Sequence, residues 1–178
     1  MNESVLFIVT GDRGAGKTTF CGRLIELARS RGWQVAGVLS PAVIVDGAKT
    51  TIDVIDLRAD QRRRLAEYDP DANYPRELHW RFDADGLAWG NTVLSDSTPC
   101  DALIVDELGV LEFERGQGWR VGLAAIDSRA YRLGVVVIRP ELLTQAQQRW
   151  PTARVIEITH IEQIDTEIDR LKQEFFQG

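Results

Sequence analysis

The sequence predicts an α/β protein with a mostly parallel sheet and helices on both faces of that sheet. Three observations lead to this prediction. A strand, a glycine-rich loop and a helix follow one another early in the chain, later apolar runs alternate with helical patterns, and residues 51–57 show the period-two alternation of a strand. Strands that alternate with helices assemble into a sheet between two helical layers. We therefore expect three layers, with a β-rich excursion over residues 34–68 after the first helix.

The composition is that of a globular domain with a substantial core. Its 178 residues, 44% hydrophobic and 27% charged, predict one domain over 1–178. The net charge of −6 argues against a duplex-binding protein, and no apolar run approaches the ~20 residues of a membrane span. No signal-peptide pattern precedes the first strand, and Cys21 and Cys100 lack metal-ligand spacing. We expect a cytoplasmic protein without membrane or nucleic-acid partners; a protein partner stays unknown.

Turn signals divide the first half of the chain. Gly32 is well placed to end the first helix, and Asp46-Gly47 is a turn signal between two extended runs. The predicted elements are a strand over 5–9, a helix over 17–31, a strand over 34–39 and a β meander that ends near Tyr68.

Prolines and capping residues divide the second half. Asp83 or Asp85 is the expected cap of one helix, and Pro140 opens another. The polar stretch 69–78 contains two prolines and is the best candidate for a mobile loop. The remaining predicted elements are strands over 79–82, 102–105, 133–138 and 154–158, helices over 83–97 and from 140, and a C-terminal helix with the apolar stripe Ile164, Ile168, Leu171 and Phe175.

The most informative motif is a phosphate-binding loop. Residues 11–18 read Gly-Asp-Arg-Gly-Ala-Gly-Lys-Thr, which matches G-x-x-x-x-G-K-[ST] between a strand and a helix. Glycines let the backbone wrap around phosphate oxygens, and the helix N-terminus adds positive charge. Lys17 would reach the β and γ phosphates, and the Thr18 hydroxyl would bind Mg²⁺. The predicted nucleotide-binding residues are Gly11, Asp12, Arg13, Gly14, Ala15, Gly16, Lys17, Thr18 and Thr19.

Carboxylates follow a later apolar strand and complete this site. Asp106 ends the run Leu-Ile-Val-Asp and is the expected second Mg²⁺ residue. Glu107 follows it directly and is the candidate base that orients and deprotonates an attacking water. Glu112, five residues further on, either helps to position water or metal or is a solvated loop carboxylate. The predicted catalytic residues are Lys17, Glu107 and Glu112.

The two motifs together resemble the small P-loop nucleoside-triphosphatases of the thermophile and cancer-related type. The resemblance rests on the loop at 11–19 and on Val-Asp-Glu-Leu-Gly-Val-Leu-Glu-Phe at 105–113, and it extends over essentially the whole chain. It implies a three-layer P-loop NTPase fold with an extra strand between the two motif strands. It also implies slow, Mg²⁺-dependent hydrolysis of nucleoside triphosphates such as ATP or GTP, and Glu112 matches the family's second acidic position.

The chain departs from the family pattern in two places. The family often has Thr-Glu-Glu-x-Arg after the second strand, where this chain has Ser-Pro-Ala-Val-Ile at 40–44. The family often has Thr-x-x-Asn-Arg near the last strand, where this chain has Thr-His-Ile-Glu-Gln at 159–163. These departures leave the hydrolytic or acceptor-side machinery and the base preference open.

Three arginines are candidates for contact with phosphate. Arg115 and Arg120 lie in a predicted flexible loop after the acidic motif, and Arg139 follows an apolar strand at a sheet end. Arginine can neutralise charge that develops on a transferred phosphoryl group, whereas solvated loop arginines are the alternative interpretation of the first two.

Two other functions remain open beside hydrolysis. A nucleotide-binding adaptor or regulator would use the nucleotide as a conformational signal with negligible turnover. A small-molecule kinase would need an acceptor pocket, for which residues 40–80 have room, and an arginine-bearing lid over 115–120.

Overall fold

One nine-stranded sheet organises the described residues, 4–71 and 79–176, of the computed structural model. The strands are β1 (Val5–Thr10), β2 (Val35–Leu39), β3 (Ala42–Val45), β4 (Ala48–Asp56), β5 (Arg62–Tyr68), β6 (Trp80–Phe82), β7 (Cys100–Leu108), β8 (Tyr131–Ile138) and β9 (Arg154–Glu157). Their order across the sheet is β6-β5-β4-β2-β7-β8-β1-β9, and β3 pairs with β4.

Helices cover both faces of this sheet. They are α1 (Lys17–Ser30), α2 (Ala84–Ser95), α3 (Val110–Phe113), α4 (Arg120–Asp127), α5 (Leu143–Arg149) and α6 (Gln163–Phe175). Successive strand residues point to opposite faces, so β1 contributes Phe7 to the core under α1 and α6 and Ile8 to the core under α2, α4 and α5. The predicted layer arrangement is confirmed.

The sheet has a parallel half that carries the motifs and an antiparallel half that forms the excursion. Strands β2, β7, β8, β1 and β9 pair in parallel, and β8 lies between β1 and β7. Strand β8 is therefore the extra strand, between the two strands that carry the motifs, that the family resemblance implies. Strand β4 joins the halves by antiparallel pairing with β2, and β5 and β6 continue outward.

The excursion after α1 folds as its turn signals predict. Asp46 and Gly47 have φ angles of 51° and 78° between β3 and β4, the left-handed pair that a two-residue hairpin turn requires. The basic run at the start of β5 is exposed, and its Arg62 lies 3.5 Å from the carboxylate of Asp53. The predicted loop over 69–78 lies largely outside the described residues, which resume at 79.

Two helical details differ from the sequence predictions. The segment 115–120 is not one flexible loop, because Arg120 begins α4, whose Ala125 and Ile126 are buried against the sheet. Its eight residues are too short for periodicity to distinguish from a loop. The helix predicted from Pro140 begins as a 3₁₀ turn over Pro140–Leu142 before α5. The N-terminal cap predicted for α2 is confirmed at Asp83, whose carboxylate accepts the N–H of Gly86 at 2.6 Å.

None of the helices in the described part of the chain has the length and apolar character that a membrane crossing needs. Cys21 is fully buried and Cys100 partly buried. Burial raises the pKa of the Cys100 thiol to about 11 and that of Cys21 well above its usual range. Both cysteines therefore act as small core or near-core side chains.

Candidate active site

The phosphate loop connects β1 to α1 and depends on glycine at two positions. Gly11 has a φ of 145°, and a Cβ there would lie 2.0 Å from the carbonyl oxygen of Ile158. Gly16 has a φ of 107°, and its Cβ would lie 3.0 Å from the Cδ1 of Ile164. The loop therefore packs against the segment after β9 as closely as a backbone without side chains allows.

Lys17 extends across this loop from the first turn of α1. Its Nζ donates to the carbonyl oxygens of Gly11 at 2.5 Å and Asp12 at 2.8 Å. Burial lowers the pKa of Lys17, whereas the carboxylates of Glu107 and Asp106 act in the opposite direction. The ammonium thus lies at the mouth of the loop, within electrostatic reach of both acidic residues.

The Thr18 side chain lies beside the Asp106 carboxylate and acts to lower its pKa. Asp106 is only 2% exposed, and its Oδ2 accepts the backbone N–H of Ser40 at 3.0 Å. The pKa of Asp106 is raised to about 7. Burial is the main cause and the charge of Glu107 adds to it, whereas the Ser40 N–H, the Thr18 side chain and the charge of Lys17 act in the opposite direction. The structure therefore brings together the two residues that the sequence assigns to the metal.

Their chemistry fits Mg²⁺. Both donors are oxygens, and Mg²⁺ is usually held by one or two protein oxygens together with substrate phosphates and water. No group of three or more His, Cys, Asp or Glu residues suited to hold a metal occurs in the described part of the chain. The residues present thus suit an ion that phosphate oxygens and water complete, rather than one held by protein ligands alone.

Glu107 lies in a bulge of β7. The pairing with β8 shifts register between Val105 and Leu108, and Glu107 itself has a φ of 74°. In a regular strand, adjacent side chains would point to opposite faces, but here Asp106 and Glu107 both raise the pKa of Lys17. The bulge therefore brings two consecutive carboxylates within electrostatic reach of Lys17, at the cost of a left-handed conformation that side chains disfavour by about 1–2 kcal/mol.

Arg139 is the direct partner of Glu107. It follows β8, and its Nε donates to the Glu107 Oε1 at 2.6 Å. Both side chains are nearly half exposed. Of the three arginines that the sequence indicates as candidates for phosphate contact, Arg139 is the one that the described contacts connect to the acidic pair.

Glu112 holds the segment that follows the acidic pair. One of its carboxylate oxygens accepts the N–H of Gly109 at 2.7 Å, and the other accepts the N–H of Trp119 at 2.7 Å. Burial raises the pKa of Glu112, and these two hydrogen bonds oppose that shift. The carboxylate thus closes residues 109–119 into a compact loop beside the site, and a direct catalytic role for it stays a prediction.

Several predicted site residues have exposed side chains. They are Asp12, Arg13 and Thr19 of the phosphate loop, together with Arg115 and Arg120.

Two further groups at the site were not predicted from the sequence. The Ser40 N–H gives no sequence signal because it is a backbone group. Thr10 was missed because its place before the loop reads only as the end of a strand. It is 3% exposed, and its hydroxyl has no hydrogen-bond partner among the described residues.

Fold and site together define a P-loop nucleotide-binding protein with one strand between its two motif strands. The chain belongs to the NTPase family NTPase_1, whose model matches residues 6–169.

Curated relatives in this family are nucleoside-triphosphatases named THEP1. The relative from Methanothermobacter thermautotrophicus is 28% identical over 113 residues, which cover 60% of this chain and 62% of the relative. The one from Pyrobaculum aerophilum is 32% identical over 108 residues, 60% of this chain and 58% of the relative. The chain thus spans about three fifths of the length of these relatives.

Two solved structures share the fold over nearly the whole chain. The human cancer-related nucleoside triphosphatase superimposes with a TM-score of 0.69 at 20% identity, covering 98% of this chain and 99% of that one. THEP1 from Aquifex aeolicus gives a TM-score of 0.70 at 17% identity, covering 97% and 100%. The predicted P-loop NTPase fold is confirmed.

Replacing Thr10 by valine tests whether its buried hydroxyl is truly unpaired. Removing an unsatisfied buried hydroxyl while keeping the side-chain volume should raise the free energy of unfolding by about 1 kcal/mol. Urea denaturation of T10V beside the wild type measures this. A loss of stability of similar size would show that the hydroxyl has a partner in the folded protein.

Replacing Glu112 by alanine tests its part in the 109–119 loop. The change leaves two backbone N–H groups without their acceptor and should lower the free energy of unfolding by about 2 kcal/mol. Glu114→Ala, at an exposed carboxylate two residues on, is the control and should change the stability by less than about 0.5 kcal/mol. Equal effects of the two substitutions in chemical denaturation would contradict this role.

Proposed function

We propose that this chain is a Mg²⁺-dependent phosphohydrolase that converts a nucleoside triphosphate, such as ATP or GTP, and water into a nucleoside diphosphate and inorganic phosphate. One observation carries the proposal. At the carboxyl ends of the parallel strands β1 and β7, Lys17 and Thr18 from one segment lie close to Asp106 and Glu107 from another. Phosphate binding, metal binding and water activation each have a suitable group there.

Binding is the task of the phosphate loop and the metal pair. The backbone N–H groups of residues 11–18 and the Lys17 ammonium would hold the β and γ phosphates. Thr18 and Asp106 would hold Mg²⁺, which when bound neutralises charge on the phosphate oxygens. Within the predicted nucleotide-binding set, Asp12, Arg13 and Thr19 would contribute through their backbone groups, since their side chains are exposed.

Proton transfer is the task of Glu107. Its carboxylate would accept a proton from a water molecule as the water oxygen attacks the γ-phosphorus. The bond from the γ-phosphorus to the β–γ bridging oxygen breaks, and its electron pair leaves with the diphosphate. Glu112 would act indirectly, because both of its oxygens are engaged by the 109–119 loop. We therefore assign it a positioning role.

The names of the relatives support the proposed reaction class. Several curated relatives carry the name nucleoside-triphosphatase, and so does one of the solved neighbours. The departures at 40–44 and 159–163 lie where family members often carry acidic, asparagine and arginine residues. We therefore propose the reaction class from the site itself and leave the nucleobase preference to experiment.

Phosphate release from ATP, GTP, CTP and UTP with Mg²⁺ tests the proposal. Lys17→Ala should abolish release and weaken nucleotide binding, because it removes the ammonium from the phosphates. Glu107→Gln should not weaken nucleotide binding and should lower turnover by about 100-fold or more, because the amide cannot accept the proton. Glu26→Gln, at an exposed carboxylate on α1, is the matched control and should behave as the wild type.

Other outcomes identify the alternatives. Nucleotide that binds through Lys17 without phosphate release from the wild type would contradict the proposal and indicate an adaptor. Consumption of ATP only when an acceptor is added would indicate a kinase.

A further inference from the structure

The strongest unassigned feature of the site is the ion pair between Arg139 and Glu107. The 2.6 Å separation of the Arg139 Nε and the Glu107 Oε1 is that of a charge-assisted hydrogen bond. The two residues lie 32 positions apart in the chain; Glu107 belongs to β7, and Arg139 directly follows the neighbouring strand β8. The group that would activate water is thus held by a cation that the motifs do not include.

Arg139 lies at the phosphate end of the sheet. Strand β8 runs parallel to β1 with Val137 opposite Val9, so Arg139 follows β8 at the same end of the sheet at which the phosphate loop follows β1. The Lys17 ammonium is bonded to the Gly11 carbonyl oxygen, and the charge of Arg139 contributes to lowering the pKa of Lys17. Arg139 is therefore close to the lysine that would meet the terminal phosphates.

The Arg139 guanidinium also has hydrogen-bond donors that Glu107 does not use. It carries five N–H groups, and within the described residues its hydrogen bond is made by Nε alone. The two terminal NH₂ groups are in the planar arrangement that matches a phosphate bidentately. The side chain is 44% exposed, so a ligand in the loop can reach it.

We propose that Arg139 binds the γ-phosphate of a bound nucleoside triphosphate and releases Glu107 in doing so. In the absence of that phosphate, Arg139 holds the Glu107 carboxylate by its Oε1 and so competes with an attacking water for that oxygen. A diphosphate lacks the competing anion, so the pair stays closed after the γ-phosphate has left. This inference rests on the proposed function, because it needs a nucleotide in the phosphate loop, and it gives Arg139 the task of distinguishing triphosphate from diphosphate.

Dissociation constants for a non-hydrolysable ATP analogue and for ADP, measured calorimetrically with Mg²⁺, test the phosphate contact. Arg139→Gln should weaken binding of the triphosphate by about tenfold or more and change ADP binding by less than about twofold. Arg139→Lys should recover part of the loss, since it keeps the charge without the fork. Arg149→Gln is the matched control, because Arg149 is similarly exposed and pairs with Asp127 away from the loop; it should change neither constant.

The release of Glu107 is tested by a double-mutant cycle on the same measurement. Glu107→Gln removes the partner that the triphosphate must displace, and should tighten analogue binding by up to about fivefold. The same substitution in the Arg139→Gln background should give no such gain. A gain that persists in that background would reflect only the loss of a repelling carboxylate and would overturn the release step.

The outcomes separate this inference from the proposed function. Arg139→Gln that weakens both nucleotides equally, or neither, would overturn the inference while leaving phosphate release by the wild type intact. A selective loss of triphosphate binding in a protein that releases no phosphate would support the inference and contradict hydrolysis. A wild-type protein that binds neither nucleotide would overturn both.

Discussion

The burial of the Asp106 carboxylate is the constraint on which the rest of the site depends. This carboxylate is almost fully buried near the end of β7, where its Oδ2 accepts the N–H of Ser40 and the Thr18 side chain at the start of α1 lies beside it. A buried carboxylate without partners would cost several kcal/mol, and the raised pKa of Asp106 expresses that cost. The Thr18 hydroxyl and the Ser40 N–H offset part of this cost. The Thr18 hydroxyl would therefore both stabilise the buried carboxylate and bind the metal.

The order of the strands determines where the remaining groups lie. Because β8 lies between β1 and β7, Arg139, which directly follows β8, lies at the end of the sheet that carries the phosphate loop and the acidic pair. The bulge in β7 then brings Glu107, beside Asp106, within electrostatic reach of Lys17. A flat continuation of β7 would direct one of these carboxylates away from the loop, and the left-handed backbone of Glu107 is the local strain that prevents this.

Sequence reasoning found the parts of the site that local rules dictate. The positive φ angles of Gly11 and Gly16 and the apolar strand before Asp106 are local features, so a pattern within a few residues reveals them. The Ser40–Asp106 bond spans 66 residues and the Arg139–Glu107 bond spans 32, and neither follows from any local pattern. Helix α4 was missed for a similar reason, since its eight residues gain their stability from burial of Ala125 and Ile126 against the sheet.

The measurement that tests the account most directly is the Mg²⁺ dependence of nucleotide affinity in the wild type and in Asp106→Asn. Affinity for a non-hydrolysable triphosphate is measured with Mg²⁺ and with a chelator, and Glu107→Gln is the control because it leaves Thr18 and Asp106 in place. The account predicts that Mg²⁺ strengthens binding in the wild type and in the control by about tenfold or more, and that Asp106→Asn removes this gain while binding in the chelator is unchanged. A full Mg²⁺ effect in Asp106→Asn would contradict a metal site at Thr18 and Asp106, and with it the roles assigned to the groups around that site.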